Sequence, residues 1–219
     1  MPVDIESARH QMVSQQVRAW DVLDPAVLGV MGTVPRERFV PPQFGRLAFA
    51  DTAIPLSHGQ HMLTPQLAGR LLQSLEITPT DRILEIGTGS GFLTACLAKL
   101  GAHVTSLEIR PDLAEAARGR LRDLGIGNCV ILTEDAFRWQ PAERFDCIAV
   151  GGSVWVPDSA FTDWLAPGGR MFVVVGETPA MEALLIRRAT SGTGFSRVSL
   201  FETVLPPLDN APRPERFVF

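Results

Sequence analysis

Three glycines and three carboxylates in this chain have the types and spacing to hold a nucleoside. Gly87, Gly89 and Gly91 stand in Glu85-Ile-Gly-Thr-Gly-Ser-Gly91, where glycine can take positive φ and bring bare backbone against a ligand. An acidic residue, Glu85, comes two positions before the first glycine, and Thr88 lies between the first pair. The dinucleotide pattern G-x-G-x-x-G wants its third glycine where Phe92 stands, so that helix and strand pack around a pyrophosphate. Here the third glycine comes one residue early, giving acidic-x-G-x-G-x-G. Glu108, followed by Ile109, falls about 20 residues after the first glycine, where a carboxylate can accept both hydroxyls of a ribose. Asp135, beside Ala136, could accept from an adenine amino group. Each carboxylate alone fits a solvated strand end equally well; their order along the chain points to an adenosine ligand.

The elements needed to position these groups are readable. Arg82 to Ile86 is an apolar run that predicts a buried strand entering the glycine turn, and Leu93 to Leu100 predicts the helix after it. Val104 to Leu107, Val130 to Leu132 and Phe145 to Val150 predict further strands, the last ending at Gly151-Gly-Ser153. Leu165-Ala-Pro-Gly-Gly-Arg170 predicts a turn feeding a strand from Met171 to Val175. Strands alternating with helices call for a parallel sheet covered on both faces. Ala183 to Arg188 and Ser196 to Leu205, joined by Ser191-Gly-Thr-Gly194, predict a closing antiparallel hairpin. Ahead of the sheet, Ile5 to Leu75 reads as helical with interruptions. Ser7 to Trp20 has helical spacing, Asp24-Pro25 starts a helix over Ala26 to Met31, and Thr64-Pro65 starts another over Gln66 to Leu75. The proline-rich stretch after Pro206 is expected to be loose.

Composition narrows the classes. The 219 residues are 46% hydrophobic and 20% charged, ordinary for one soluble α/β domain. A net charge of −4 with scattered basic residues leaves no electrostatic footprint for nucleic acid. No apolar segment approaches a membrane span, and no charged-then-apolar export signal opens the chain. Cys96, Cys129 and Cys147 lie far apart in apolar runs, which predicts buried free thiols in a reducing compartment rather than a disulfide framework or zinc site; no metal is expected. The expected location is the cytoplasm.

The acidic-x-G-x-G-x-G spacing matches the first motif of S-adenosylmethionine-dependent methyltransferases, whose ligand ends in an amino acid and carries no phosphate. The Pro-Gly-Gly turn is also typical of them. Val34-Pro-Arg-Glu-Arg-Phe-Val-Pro41, Ala48-Phe-Ala-Asp51, Ile54-Pro55 and Gly59-Gln60 resemble the protein-L-isoaspartate O-methyltransferase family, and Leu84-Glu-Ile-Gly-Thr-Gly-Ser-Gly91 is that family's own wording. The resemblance runs from about Gln11 to Leu208. It implies an α/β fold with a Rossmann-like seven-stranded methyltransferase sheet, mostly parallel with an antiparallel C-terminal hairpin, under an N-terminal helical cap. Residues 1–78 would be the cap and acceptor-binding segment, 79–208 the donor-binding core and 209–219 a tail, within one compact domain. It further implies S-adenosyl-L-methionine as donor and isoaspartyl residues of damaged proteins or peptides as acceptor, methylated on the α-carboxylate as the first step of repair. Glu85, Gly87, Thr88, Gly89, Gly91, Glu108, Ile109, Asp135 and Ala136 are the donor-binding candidates; Asp51, His58, His61 and Thr64 are the acceptor-side ones.

One departure from the family concerns the acceptor. Where the family carries Gln-Thr-Ile-Ser-x-Pro, this chain reads Gln60-His-Met-Leu-Thr-Pro65, so Leu63 occupies the serine position. Thr64 is the nearby hydroxyl, one place late; it could position the acceptor or cap the helix that Pro65 opens. His58 and His61 flank Gly59-Gln60. Histidine can remove a proton near neutral pH, which a phenol, amine or alcohol acceptor requires; a carboxylate, ionised above pH of about 4, does not. Two alternatives therefore stand beside the repair activity: a paralogue methylating another small-molecule or peptide acceptor, and a cofactor-binding protein without catalysis.

Overall fold

The computed structural model describes residues 4–157 and 159–213. Helix α1, Ile5–Gln11, starts at Asp4, whose carboxylate accepts from the amides of Glu6 and Ser7. The chain winds on through a wider π turn, Met12–Val17, and a 3-10 turn, Arg18–Trp20, so the predicted helix is continuous but not uniform. Helix α2, Pro25–Thr33, begins as its sequence demands, with Pro25 in the first turn and Asp24 accepting from Ala26 and Val27. The proline-broken segment that follows forms short 3-10 turns. Two brief strands absent from the sequence reading, β1 (Ile54–Pro55) and β2 (His61–Met62), pair antiparallel and close the loop 56–60. Helix α3, Pro65–Ser74, follows Thr64, whose Oγ1 accepts the Leu67 amide at 3.3 Å.

The core alternates as expected. Its elements are β3 (Arg82–Ile86), α4 (Phe92–Leu100), β4 (His103–Glu108), α5 (Pro111–Asp123), β5 (Cys129–Thr133), β6 (Phe145–Val154), α6 (Ser159–Asp163), β7 (Leu165–Glu177), β8 (Ala180–Arg188) and β9 (Phe195–Glu202). They form one seven-stranded sheet in the order β5-β4-β3-β6-β7-β8-β9. The first five strands in that order run parallel; β8 is antiparallel to β7, and β9 to β8. Strand β3 lies between β4 and β6, where the chain reverses its direction of winding, and ligands of open α/β sheets collect beyond the carboxyl ends at such a point. The sheet separates two apolar layers. Ile83, Cys96 and Leu72 pack toward the cap, while Leu84, Ile86 and Phe161 pack on the opposite face. Cys96 and Cys147 are buried and free as expected, whereas Cys129 is only half-buried.

Several boundaries differ from expectation. Strand β7 starts at Leu165 and so takes in the predicted Leu165–Arg170 turn, β8 starts at Ala180 rather than Ala183, and β9 ends at Glu202 rather than Leu205. Strand β6 does not stop at Val150; an irregularity in its pairing with β7 lets it continue through Gly151 and Gly152 to Val154. The segment after Pro206 is not loose. Ser153 donates its amide to the Pro206 carbonyl at 2.9 Å and accepts the Leu208 amide at 2.8 Å. Arg110 pairs with Asp209 at 2.9 Å, and Asn210 Nδ2 donates to Asp135 Oδ2 at 2.9 Å. Proline leaves few donors here, but the Pro206 carbonyl and the Leu208 amide suffice to dock the segment as a strap across the top of the sheet. The last part of the predicted tail, residues 214–219, lies outside the described residues. Among those described, no helix is long and apolar enough to cross a membrane.

Candidate active site

A cavity of about 350 Å³ opens beyond the carboxyl ends of β3, β4 and β6. Gly87 and Gly89 form its floor, Glu108, Ile109, Asp135 and Ala136 one wall, Gln60 to Thr64 the other, and the strap from Thr203 to Asp209 its roof. The volume lies in the range of small-molecule sites.

The glycine turn is held from below and from the side. Gly87, Gly89 and Gly91 have φ of +91°, +54° and +87°, the left-handed region in which a side chain is strained. The amides of Gly87 and Thr88 bond the Leu107 carbonyl at 2.9 and 3.3 Å. Thr88 is buried, its hydroxyl 2.5 Å from that of Ser106. Gly91 starts α4 rather than touching the cavity. Glu85 does not border the cavity either. Its carboxyl is fully buried under the turn, where Oε2 accepts from Thr94 at 2.5 Å and Ser106 at 2.6 Å. Its Oε1 has no partner among the described residues, and burial pushes its pKa up to about 8.

The two wall carboxylates are oriented by backbone. Glu108, nearly buried, accepts the Gly89 amide on Oε2 at 2.8 Å and the Arg110 amide on Oε1 at 3.0 Å. A carboxylate has about four lone-pair sites, so capacity for ribose hydroxyls remains. Asp135 accepts the Phe137 amide on Oδ1 at 2.9 Å and Asn210 on Oδ2.

The acceptor-side candidates divide. His61, Leu63 and Thr64 border the cavity. Thr64 is also the α3 cap, and the Leu63 carbonyl accepts from Arg36 Nη2 at 2.7 Å. His58 and Asp51 are not brought to the cavity. His58 sits at φ +58° with Nε2 2.9 Å from Asp112 Oδ1, while Ser57 Oγ donates to Asp112 Oδ2 at 2.9 Å. These two hydrogen bonds hold the Asp112 carboxyl below the usual carboxylate range. The left-handed turn at His58 thus points its ring away to staple the loop onto α5. Asp51 lies exposed in a bend before β1. The strap, Arg36 and Asn210 were not singled out from sequence. The apolar pair Leu205 and Leu208 within the proline-rich stretch was the only local signal for the strap.

The charge of the cavity selects between ligands. Glu108, Glu134, Asp135 and Asp209 line it, and among the described residues neither lysine nor arginine does. Asp209 pairs with Arg110 and Asp135 lies 3.6 Å from Arg138, but neither arginine lines the cavity. A pyrophosphate would therefore meet a wall of carboxylates, whereas such a cleft favours a cationic sulfonium. A mostly parallel sheet with this glycine turn, a carboxylate ending the neighbouring strand and an anionic nucleoside-sized cavity define an S-adenosylmethionine-dependent methyltransferase.

Within that class the comparisons are specific. The family model described as protein-L-isoaspartate(D-aspartate) O-methyltransferase matches residues 7–201, and the chain belongs to this family. It is 42% identical over 174 residues to protein-L-isoaspartate O-methyltransferase 1 of Anaeromyxobacter sp. (strain Fw109-5), covering 78% of this chain and 82% of that one. It is 37% identical over 198 residues to the protein-L-isoaspartate O-methyltransferase of Gloeobacter violaceus (strain ATCC 29082 / PCC 7421), covering 90% and 96%. The fold matches the crystal structure of a protein-L-isoaspartate O-methyltransferase from Plasmodium falciparum in complex with S-adenosyl-L-homocysteine. The TM-score is 0.79 at 22% identity, over 94% of this chain and 98% of that one.

Proposed function

We propose that the chain methylates the α-carboxylate of L-isoaspartyl residues in proteins or peptides, using S-adenosyl-L-methionine, as a repair enzyme of the cytoplasm. The observation that carries this reading is family membership over residues 7–201, joined to a cavity walled on one side by donor-binding carboxylates and on the other by the Gln60–Thr64 segment. In this reading residues 1–78 supply the cap and acceptor segment and 79–208 bind the donor, with Asp209 and Asn210 of the expected tail docked beside them.

The residues fit the donor. Gly89 lines the cavity at φ +54°, a conformation in which a side chain is strained, so bare backbone is what it offers a ligand. Glu108 would take the ribose hydroxyls, Asp135 the adenine amino group, and Gly87 and Gly89 the chain bearing the sulfur, with Ile109 and Ala136 against the base. Thr88, Gly91 and Glu85 support the turn from outside the cavity. Bound there, S-adenosyl-L-methionine supplies an electrophilic methyl group. The protein has to align and desolvate the acceptor, because an isoaspartyl carboxylate is already ionised at neutral pH. Met62, Leu63 and Leu67 present an apolar wall suited to excluding water.

A second reading is favoured by one observation: His61 borders the cavity while Leu63 stands where the family carries serine. A paralogue acting on an amine, phenol or alcohol would use His61 as a base. The test is methyl transfer to an isoaspartyl peptide beside its normal-aspartyl counterpart. Turnover confined to the isoaspartyl form supports repair; no turnover of it at saturating donor removes that activity.

A further inference from the structure

The glycine turn is gripped by two side chains of opposite charge, and only one of them faces the cavity. Glu108, at the end of β4, lines the cavity and accepts the Gly89 amide at 2.8 Å. Arg120, on α5, does not line it; its Nη1 donates to the carbonyl of the next residue, Ser90, at 3.1 Å. The two bonds fall on either side of the Gly89–Ser90 peptide. That peptide is the middle one of a tight turn, closed by the Gly91 amide on the Thr88 carbonyl at 3.0 Å, with φ of +54° at Gly89. Glycine admits both signs of φ, so the middle peptide of such a turn can flip unless its neighbours are held. Ser90 Oγ is already engaged, accepting the Phe92 amide at 3.3 Å, which leaves its carbonyl to α5.

Arg120 meets no carboxylate. Its guanidinium is half-buried, burial lowers its pKa, and the Ser90 carbonyl is its one hydrogen-bond partner among the described residues. Burying a charge is unfavourable, and an apolar side chain would occupy the same place without that cost. What the charge adds is a stronger hydrogen bond than a neutral donor would give. Ala117, three residues back and so on the same face of α5, bears on the turn as well: a Cβ placed on Gly91 would lie 3.0 Å from the Ala117 Cβ. Helix α5 thus holds the turn at two consecutive residues, Ser90 and Gly91.

We infer that Arg120 is a positioning residue for the donor, fixing the Ser90 carbonyl from outside the cavity so that the Gly89 backbone is in place before the donor arrives. The inference rests on the donor reading above and adds to it a residue that touches no ligand. Backbone already ordered loses less freedom on binding, so affinity gains from a contact the ligand never makes. Arg120 has no bond to the Gln60–Thr64 wall, so acceptor binding and the rate at saturation lie outside its reach.

Calorimetry, steady-state kinetics and amide hydrogen exchange test this together. R120M, which keeps the aliphatic stem and loses the donor groups, is expected to bind S-adenosyl-L-homocysteine about tenfold more weakly, as loss of a bond to a charged group gives. With an isoaspartyl peptide its donor KM should rise by a similar factor, while acceptor KM and kcat stay within about twofold of wild type. R120K, which can still reach one carbonyl, is expected to recover part of the affinity. In ligand-free protein the Gly91 amide should exchange slowly in wild type and faster in R120M. An R120M protein that binds as tightly as wild type overturns the role, as does one whose acceptor KM rises with its donor KM, or an R120K no better than R120M. Rapid Gly91 exchange in ligand-free wild type overturns it without any variant. Should wild type bind no S-adenosyl-L-homocysteine, the donor reading itself fails; wild-type binding that R120M retains in full fails the positioning role alone.

Discussion

The main-chain amide of Gly89 donates to Oε2 of Glu108 at 2.8 Å, across the gap between the glycine turn and the end of β4. One carboxylate therefore both shapes the turn and faces the cavity. The two motifs are one unit: the turn presents bare backbone to the cavity, and the acid beside it fixes where that backbone lies.

Glu108→Ala is expected to weaken donor binding on two counts, by removing the ribose acceptor and by releasing the Gly89 amide. Lost hydrogen bonds to a charged group are worth about 1.5–3 kcal/mol, or more than tenfold in affinity. Calorimetry with S-adenosyl-L-homocysteine reads this directly, and Glu108→Gln should fall between. An alanine variant that binds like wild type would remove Glu108 from the donor site.

Thr64 has its hydroxyl on the Leu67 amide at 3.3 Å, the geometry of a cap. Thr64→Ala should therefore lower stability by about 1 kcal/mol, seen as a shifted urea midpoint, and Thr64→Ser should restore it. Methyl transfer at saturating substrate should stay within a few-fold of wild type. A hundredfold loss of rate in a variant of unchanged stability would instead make the hydroxyl part of the chemistry.

His58 and His61 should behave differently despite lying three residues apart. His58→Ala removes one of the two bonds from loop 57–59 to Asp112, leaving that of Ser57, and should increase proteolytic nicking there, leaving the pH profile unaltered. His61 borders the cavity. With an isoaspartyl acceptor, turnover should be flat between pH of about 6 and 7.5 in both wild type and His61→Ala. A wild-type inflection in that range that disappears in His61→Ala would favour an acceptor that must lose a proton.

Glu85 sets a pH dependence of stability. Its pKa rises from 4.5 in the unfolded chain to about 8 in the fold, chiefly through burial. Below 4.5 both states hold the proton. As pH climbs toward 8 the unfolded chain releases it while the folded protein keeps it, so stability from this group declines across that window. Glu85→Gln mimics the protonated acid and should remove the decline. Urea midpoints of the two proteins should lie close near pH 4.5 and separate by pH 8, the variant being more stable by a few kcal/mol. Parallel pH profiles would show that the buried carboxyl does not titrate as its surroundings demand.

The sequence by itself determined the parts governed by short-range rules. Alternating apolar runs gave the strands flanking the turn, Asp24 and Thr64 marked helix starts, and glycines at alternate positions marked a turn that β3 delivers to the sheet's centre. Each is set by residues within a few positions, so local periodicity and stereochemistry suffice to read it. Tertiary structure alone decided which of His58 and His61 meets the cavity, that Arg36 is buried without a counter-charge, and that Pro206 to Asn210 closes the roof. Those outcomes depend on partners far away in the chain, Ser57 with Asp112, Arg36 with Leu63, Ser153 with Pro206 and Arg110 with Asp209. Proline and glycine erase the periodic signal in these very segments, so their course is fixed by the surfaces they close upon rather than by their own residues.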